Sequence, residues 1–149
     1  MKIDPWPTEL SPRELAAWLN RRLDGTLMGH LGIRVVEAGK ERAVAELPVR
    51  SGLLTLTGHV HTGTMVSLAD TTATCAAIAI CEGWKPERFP VAIALSIQIV
   101  GNVQQGILRA ESAIAHAGRT LIAAETRITS DSGRLLAIMN STHFVRQQG

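Results

Sequence analysis

The sequence predicts an α+β domain in which an antiparallel sheet wraps round one long central helix. Three observations carry this. The stretch from Thr62 to about Ile80 is apolar on nearly every face and too long for a strand, which describes a buried helix. Shorter runs on either side have the alternation and β-branched content of strands. Two of these runs precede the long helix and four follow it, an order that fits a sheet folded about that helix.

The elements follow in order. Ser11 reads as an N-cap, Pro12 as the first helical residue and Glu14 as the reciprocal partner of a capping box. Leu15, Trp18, Leu19 and Leu23 then share one face, and Gly25 and Gly29 close the region. Ile33 to Ala38 and Arg42 to Val49 are strands joined by Gly39-Lys40; in the second, Ala43, Ala45, Leu47 and Val49 alternate with Arg42, Val44, Glu46 and Pro48. Ser51 to Val60 is turn-rich and reads as a loop into the long helix, which Gly83, Pro86 and Pro90 end. A meander completes the chain. Val91 to Val100 places Ile93, Leu95, Ile97 and Ile99 on one side, and Ala117-Gly118-Arg119 joins Ile107–His116 to Thr120–Thr129. Asp131-Ser132-Gly133 then turns into Arg134–Val145. The 149 residues suit one domain, residues 1–149, with residues 1–28 as an N-terminal helical extension.

Composition narrows the function classes. A formal net charge of +2, from 15 basic and 13 acidic residues, argues for neither a nucleic-acid nor a membrane-surface partner. Three Trp, two Phe and no Tyr leave no stacking platform for single strands and a core built from Val, Ile, Leu and Ala. Met1 to Leu10 holds Asp4, Pro5, Pro7 and Glu9 without an apolar run, so it does not read as a signal peptide. Asp70 and several Thr make the longest weakly charged stretch a poor membrane span. Cys75 and Cys81, six apart on one helix, are separated by about 9 Å of rise, too far for a disulfide. Two reduced thiols fit a cytoplasmic protein, and no Cys and His cluster has metal-ligand spacing.

Asp70 is the residue that needs explaining, as the one formally charged side chain between Arg50 and Glu82. A carboxylate is costly to bury, so it either belongs to a hydrogen-bonded structural network or faces a cavity and does chemistry. Upstream, Gly58-His59-Val60-His61-Thr62-Gly63 feeds the helix N-terminus, where free N–H groups make a site for a carbonyl oxygen or oxyanion. Asp70 lies nine residues past His61, about two and a half turns along the same helix. Groups so far apart act on one atom only if the site forms between subunits.

The run His61-Thr62-Gly63-Thr64-Met65-Val66-Ser67-Leu68-Ala69-Asp70 resembles the signature of hotdog-fold thioesterases, nearest to the phenylacetate-degradation and 4-hydroxybenzoyl-CoA thioesterases. That signature is a His-Gly-Gly turn followed by a helix carrying Leu-Ala-Asp or Leu-Ala-Glu. Gly118-Arg119-Thr120 resembles the family's hairpin, and Asp131-Ser132-Gly133-Arg134-Leu135-Leu136-Ala137 its closing strand, so the likeness runs from roughly Gly29 to Phe144. Thr62 stands in place of the first Gly of the turn, and Thr55, six before the His, where relatives carry Asn or Gln.

The resemblance implies a hotdog fold and hydrolysis of an acyl-CoA thioester, with an aromatic or medium-chain acyl group, to free acid and CoA. It implies a homodimer or dimer of dimers with the site at the interface, and no cofactor, coenzyme A being part of the substrate. On this analogy the backbone N–H of Thr62 from one chain is the oxyanion donor, and Asp70 from the other is base or nucleophile. His61, Gly63, Thr55, Thr74, Ala92 and Arg119 are the candidate substrate contacts, with Arg88 a further candidate for phosphate. A non-catalytic acyl-CoA-binding hotdog protein, or a hotdog dehydratase or hydratase, are the alternative readings.

Overall fold

The computed structural model describes residues 5–82 and 88–147, without the side chains of residues 88 and 147. Helix α1 (Pro12–Asn20) starts as its local sequence dictates. Ser11 Oγ accepts the Glu14 N–H, and the Glu14 carboxylate accepts the Ser11 N–H at 2.8 Å. Leu15, Trp18 and Leu19 are buried, whereas Leu23 lies past the helix end and is half-buried.

Gly25 and Gly29 do not simply close this region. A second helix, α2 (Leu27–Leu31), runs through Gly29, capped by the Thr26 hydroxyl and stopped by Gly32 in the left-handed conformation at φ 84°. Glycine is required at position 29 because a Cβ there would stand 2.3 Å from the Leu23 carbonyl oxygen. Close approach to the preceding turn, not helix propensity, selected that residue.

The strands are β1 (Arg34–Ala38), β2 (Arg42–Pro48), β3 (Arg88–Ile99), β4 (Ile107–Ala117), β5 (Leu121–Thr129) and β6 (Leu135–Gln147), with α3 (Thr62–Ile80) between β2 and β3. They form one antiparallel sheet in the order β1-β2-β4-β5-β6-β3. β4, β5 and β6 are the expected meander, but β3 is not its first member. It pairs with β6 at the far edge. The α3 crossover thus carries the chain from one half of the sheet to the other, and the sheet curls round the helix from both sides.

Pro90 does not end α3. It sits inside β3, buried opposite Val145, and an edge strand tolerates a residue without an N–H. A register shift between Ala92 and Ala94 breaks the alternation at Ile93, which is 59% exposed. The helix end expected at Gly83 and Pro86 lies outside the described residues.

Around α3 the core is dense. Met65, Leu68, Ala69 and Ala73 pack against Leu47, Leu108, Ile128, Leu136 and Met139; the small alanines let helix and sheet approach closely. Among the described residues α3 is the one helix long and apolar enough to cross a membrane, yet more than half of it is buried inside the fold. It is not buried all round, however. Val66, Ser67, Asp70, Thr71, Thr74 and Ile78 are half-exposed, and their three- and four-residue spacing makes one uncovered stripe.

Candidate active site

The turn into α3 is held from several directions. His61 donates its N–H to the Leu53 carbonyl, and the Val60 N–H reaches the side chain of Asn102 at 3.0 Å. The Asn102 amide answers by donating to the Val60 carbonyl at 3.0 Å. Asn102 was not singled out in the sequence; an Asn in a loop after a strand is too common a signal. It fixes where the helix begins.

His61 is the N-cap, and its Nδ1 accepts the Gly63 N–H at 2.8 Å. The Thr64 N–H bonds the His61 carbonyl. Of the first three helical donors only that of Thr62 is left without an acceptor among the described residues, so it is the one available to an external oxygen. Gly63 is tightly placed, since a Cβ there would approach His61 Nδ1 to 3.0 Å.

Two turns further on, Asp70 faces the uncovered stripe. It is half-buried, and its Oδ1 is sealed from water without a hydrogen-bond partner among the described residues. Burial pushes its carboxyl above the ordinary carboxylate range, while the neighbouring His143 and Thr74 pull the other way. His143 is fully buried. Its Nε2 lies 3.3 Å from Thr74 Oγ1, and its Nδ1 has no partner. Burial pushes the His143 imidazole down, against the pull of the Asp70 charge. Helix α3 and strand β6 thus bring Asp70, Thr74 and His143 into one cluster.

His143 escaped the sequence reading. Its signal was parity: Ala137, Met139, Ser141, His143 and Val145 are the buried positions of β6, so a histidine occupies a core-facing slot. Ala92 pairs with His143 in register and therefore shares the helix-facing side of the sheet. Of the sequence candidates, Asp70, Thr74 and Ala92 converge here.

The others do not join them within one chain. Thr62 precedes Asp70 by eight residues, about 12 Å of helix rise. Thr55 sits in the tight turn before α3, its hydroxyl 2.9 Å from that of Thr57, with the fully exposed Leu56 at the tip. Arg119 is exposed in the β4–β5 hairpin. That hairpin lies near the C-terminal end of α3, where Ala77 and Cys81 pack on Ile122 and Val145. The Arg88 side chain lies outside the described residues. Cys75 and Cys81 are buried free thiols, and burial pushes Cys75 up to about 12, so it is no nucleophile. No group of three or more potential metal-ligating side chains exists among the described residues.

Known proteins carry the same fold. The Thioesterase superfamily model matches residues 57–137, which span the turn, α3 and most of the sheet. A Deinococcus radiodurans protein with a provisional esterase name is 32% identical over 95% of this chain and 89% of its own length. A 1,4-dihydroxy-2-naphthoyl-CoA hydrolase of Listeria monocytogenes is 26% identical over 79% of this chain and 94% of its own. A mutant thioesterase of Pseudomonas aeruginosa superposes with TM-score 0.84 over 97% of this chain and all of that one; at 22% identity that is a likeness of fold. The chain belongs to the thioesterase superfamily, and it is a thioester hydrolase with the hotdog fold.

Proposed function

We propose that the protein hydrolyses acyl-CoA thioesters at a site shared between two copies of the chain, with Asp70 as the working carboxylate. One observation carries the reading: a half-buried aspartate whose Oδ1 has no partner stands on a stripe of α3 that this chain leaves uncovered. A purely structural carboxylate would have its hydrogen bonds made.

In the reaction the thioester carbonyl oxygen, as it gains charge, takes a hydrogen bond from the Thr62 N–H of one subunit. Asp70 of the other attacks the carbonyl carbon or takes a proton from the water that does. The C–S bond breaks, the thiol leaves with a proton, and water supplies the oxygen of the free acid. Thr74, beside Asp70, has a hydroxyl to orient that water. His61 and Gly63 shape the donor turn, and Thr55 reaches the substrate from the loop before it. Ala92 leaves room beside the acid, and Arg119 meets the nucleotide phosphates. Nothing in this chemistry requires a cofactor.

Supporting the shared site, β3 presents an unpaired edge bearing exposed Val91, Ile93 and Leu95 next to the uncovered stripe of α3. Acyl-CoA as substrate is supported by the Listeria relative, whose name specifies a CoA thioester. Two buried free thiols suit a reducing, cytoplasmic setting.

A panel of acyl-CoA esters assayed for thiol release tests this. At least one ester should be hydrolysed, and Asp70→Asn should lower kcat by about 10²- to 10⁴-fold. Full activity in Asp70→Asn, or inertness of the whole panel, overturns the proposal.

A further inference from the structure

The stripe that carries Asp70 is not bare along its whole length. Between α3 and the N-terminal segment lies a cleft of about 250 Å³, walled by Leu19, Leu23 and Met28, by Val35 of β1 and by Ile78 of α3. Its polar groups include Asp70, Thr71 and Thr74 on the helix side and Arg22 on the side of the N-terminal segment. A site with a carboxylate on one wall and mainly aliphatic side chains, with Arg22 among them, on the other suits the apolar part of a molecule whose reactive carbon lies beside Asp70.

The outer wall is braced. The Asn20 side chain donates to the Val35 carbonyl at 2.7 Å and accepts the Val35 N–H at 2.9 Å, copying a strand partner along β1. The Arg22 guanidinium lies 3.7 Å over the Trp18 ring and donates to the Trp18 carbonyl at 2.9 Å. Gly29 lets α2 press against the Leu23 carbonyl, so Met28 is set at a fixed height above α3. None of these wall residues before β2 falls within residues 57–137, the stretch that the superfamily model matches. The wall belongs to the N-terminal segment.

We propose that this cleft is the acyl pocket and that Leu23 and Met28 set its size limit. The inference rests on the thioesterase reading and adds the substrate class. A dry cavity of about 150 Å³ holds one benzene ring, so a cleft of this size takes a compact apolar acyl group of roughly seven to ten carbons, as a fused aryl or a medium chain. Acetyl leaves it empty. A sixteen-carbon chain overfills it.

The test measures kcat/KM for acetyl-, butyryl-, octanoyl-, palmitoyl-, benzoyl- and naphthoyl-CoA with the wild type, Met28→Trp and Leu23→Ala. The wild type should peak at octanoyl or an aryl ester, and the aryl and alkyl arms show which of the two sources is used. Met28→Trp should lower the octanoyl-to-butyryl ratio by about tenfold or more, the order expected when a pocket loses room for a few methylenes. Leu23→Ala, which only removes atoms, should move the optimum to longer chains. An optimum at palmitoyl, or ratios unchanged in both folded variants, overturns the assignment.

Binding separates this inference from the hydrolysis reading. By calorimetry, Asp70→Asn should bind octanoyl- or naphthoyl-CoA at least about tenfold more tightly than CoA, and adding Met28→Trp should remove the difference. If no ester is hydrolysed but this difference stands, the pocket survives and the hydrolysis reading falls. Equal affinities for CoA and its esters overturn the pocket.

Discussion

At Asp70, the proposed function and stability pull in opposite directions. Burial disfavours its charged form, so the folded chain binds the Asp70 proton more tightly than the unfolded chain does. The stability linked to this group is therefore present at low pH and lost as pH rises through the raised value. Asp70→Asn should accordingly melt a few degrees higher than the wild type near neutral pH while losing turnover, as thermal melts alongside kinetics will show. In the proposed mechanism the carboxylate acts ionised, so the acid limb of kcat/KM should lie above the ordinary carboxylate range.

His143 is pushed the other way. Its folded-state proton is held more weakly than in the unfolded chain, so stability is lost as pH falls below the ordinary histidine value. Its positive charge also draws the Asp70 carboxyl down. His143→Gln, which keeps a polar atom toward Thr74 but cannot be charged, should shift the acid limb of kcat/KM upward and spare most of the plateau rate. An unmoved limb would reduce His143 to a packing residue.

At the scale of the element, the start of α3 does the positioning. The His61 cap, the Leu53 carbonyl and the Asn102 clamp set the first turn, and Gly63 alone allows the imidazole to lie over its own N–H. Gly63→Ala places a methyl 3.0 Å from His61 Nδ1. It should displace the cap, cost about 1 kcal/mol in denaturant unfolding, and lower kcat more than it raises KM. Strand β3 makes the complementary point. Its exposed Leu95 and Ile99 point to the helix side of the sheet, as their partners Ser141 and Ala137 do, but the sheet ends there and the described residues leave them only partly covered.

At the scale of the molecule, the proposed shared site predicts complementation. Thr62→Pro deletes the donor N–H at a helix position where proline is tolerated, and Asp70→Asn deletes the acid. Each variant alone should be inactive. A co-expressed heterodimer has one site with both lesions and one with neither, so it should recover activity approaching one site per dimer. Leu95→Lys, an inward-pointing charge on the edge strand, should lose association and activity together in light scattering and kinetics. A fully active monomer would end the two-chain site.

Much of this was written locally. The capping box at Ser11 and Glu14, the start of α3 after His61 and the β4–β5 hairpin could all be read from near neighbours. These features depend on backbone geometry within a few residues, so their signals lie within a few residues too. Other features needed the tertiary structure. That β3 lies beside β6 and not β4 changes no alternation pattern, because either pairing buries the same side chains. Gly29 marks a helix only once the Leu23 carbonyl is packed against it. His143 joins Thr74 across 69 positions of sequence, and Leu23 and Met28 line one cleft with Asp70 from a segment that Asn20 ties to β1. Contacts between distant segments are chosen by which surfaces the closed sheet leaves uncovered, and that exists only once the whole chain has folded.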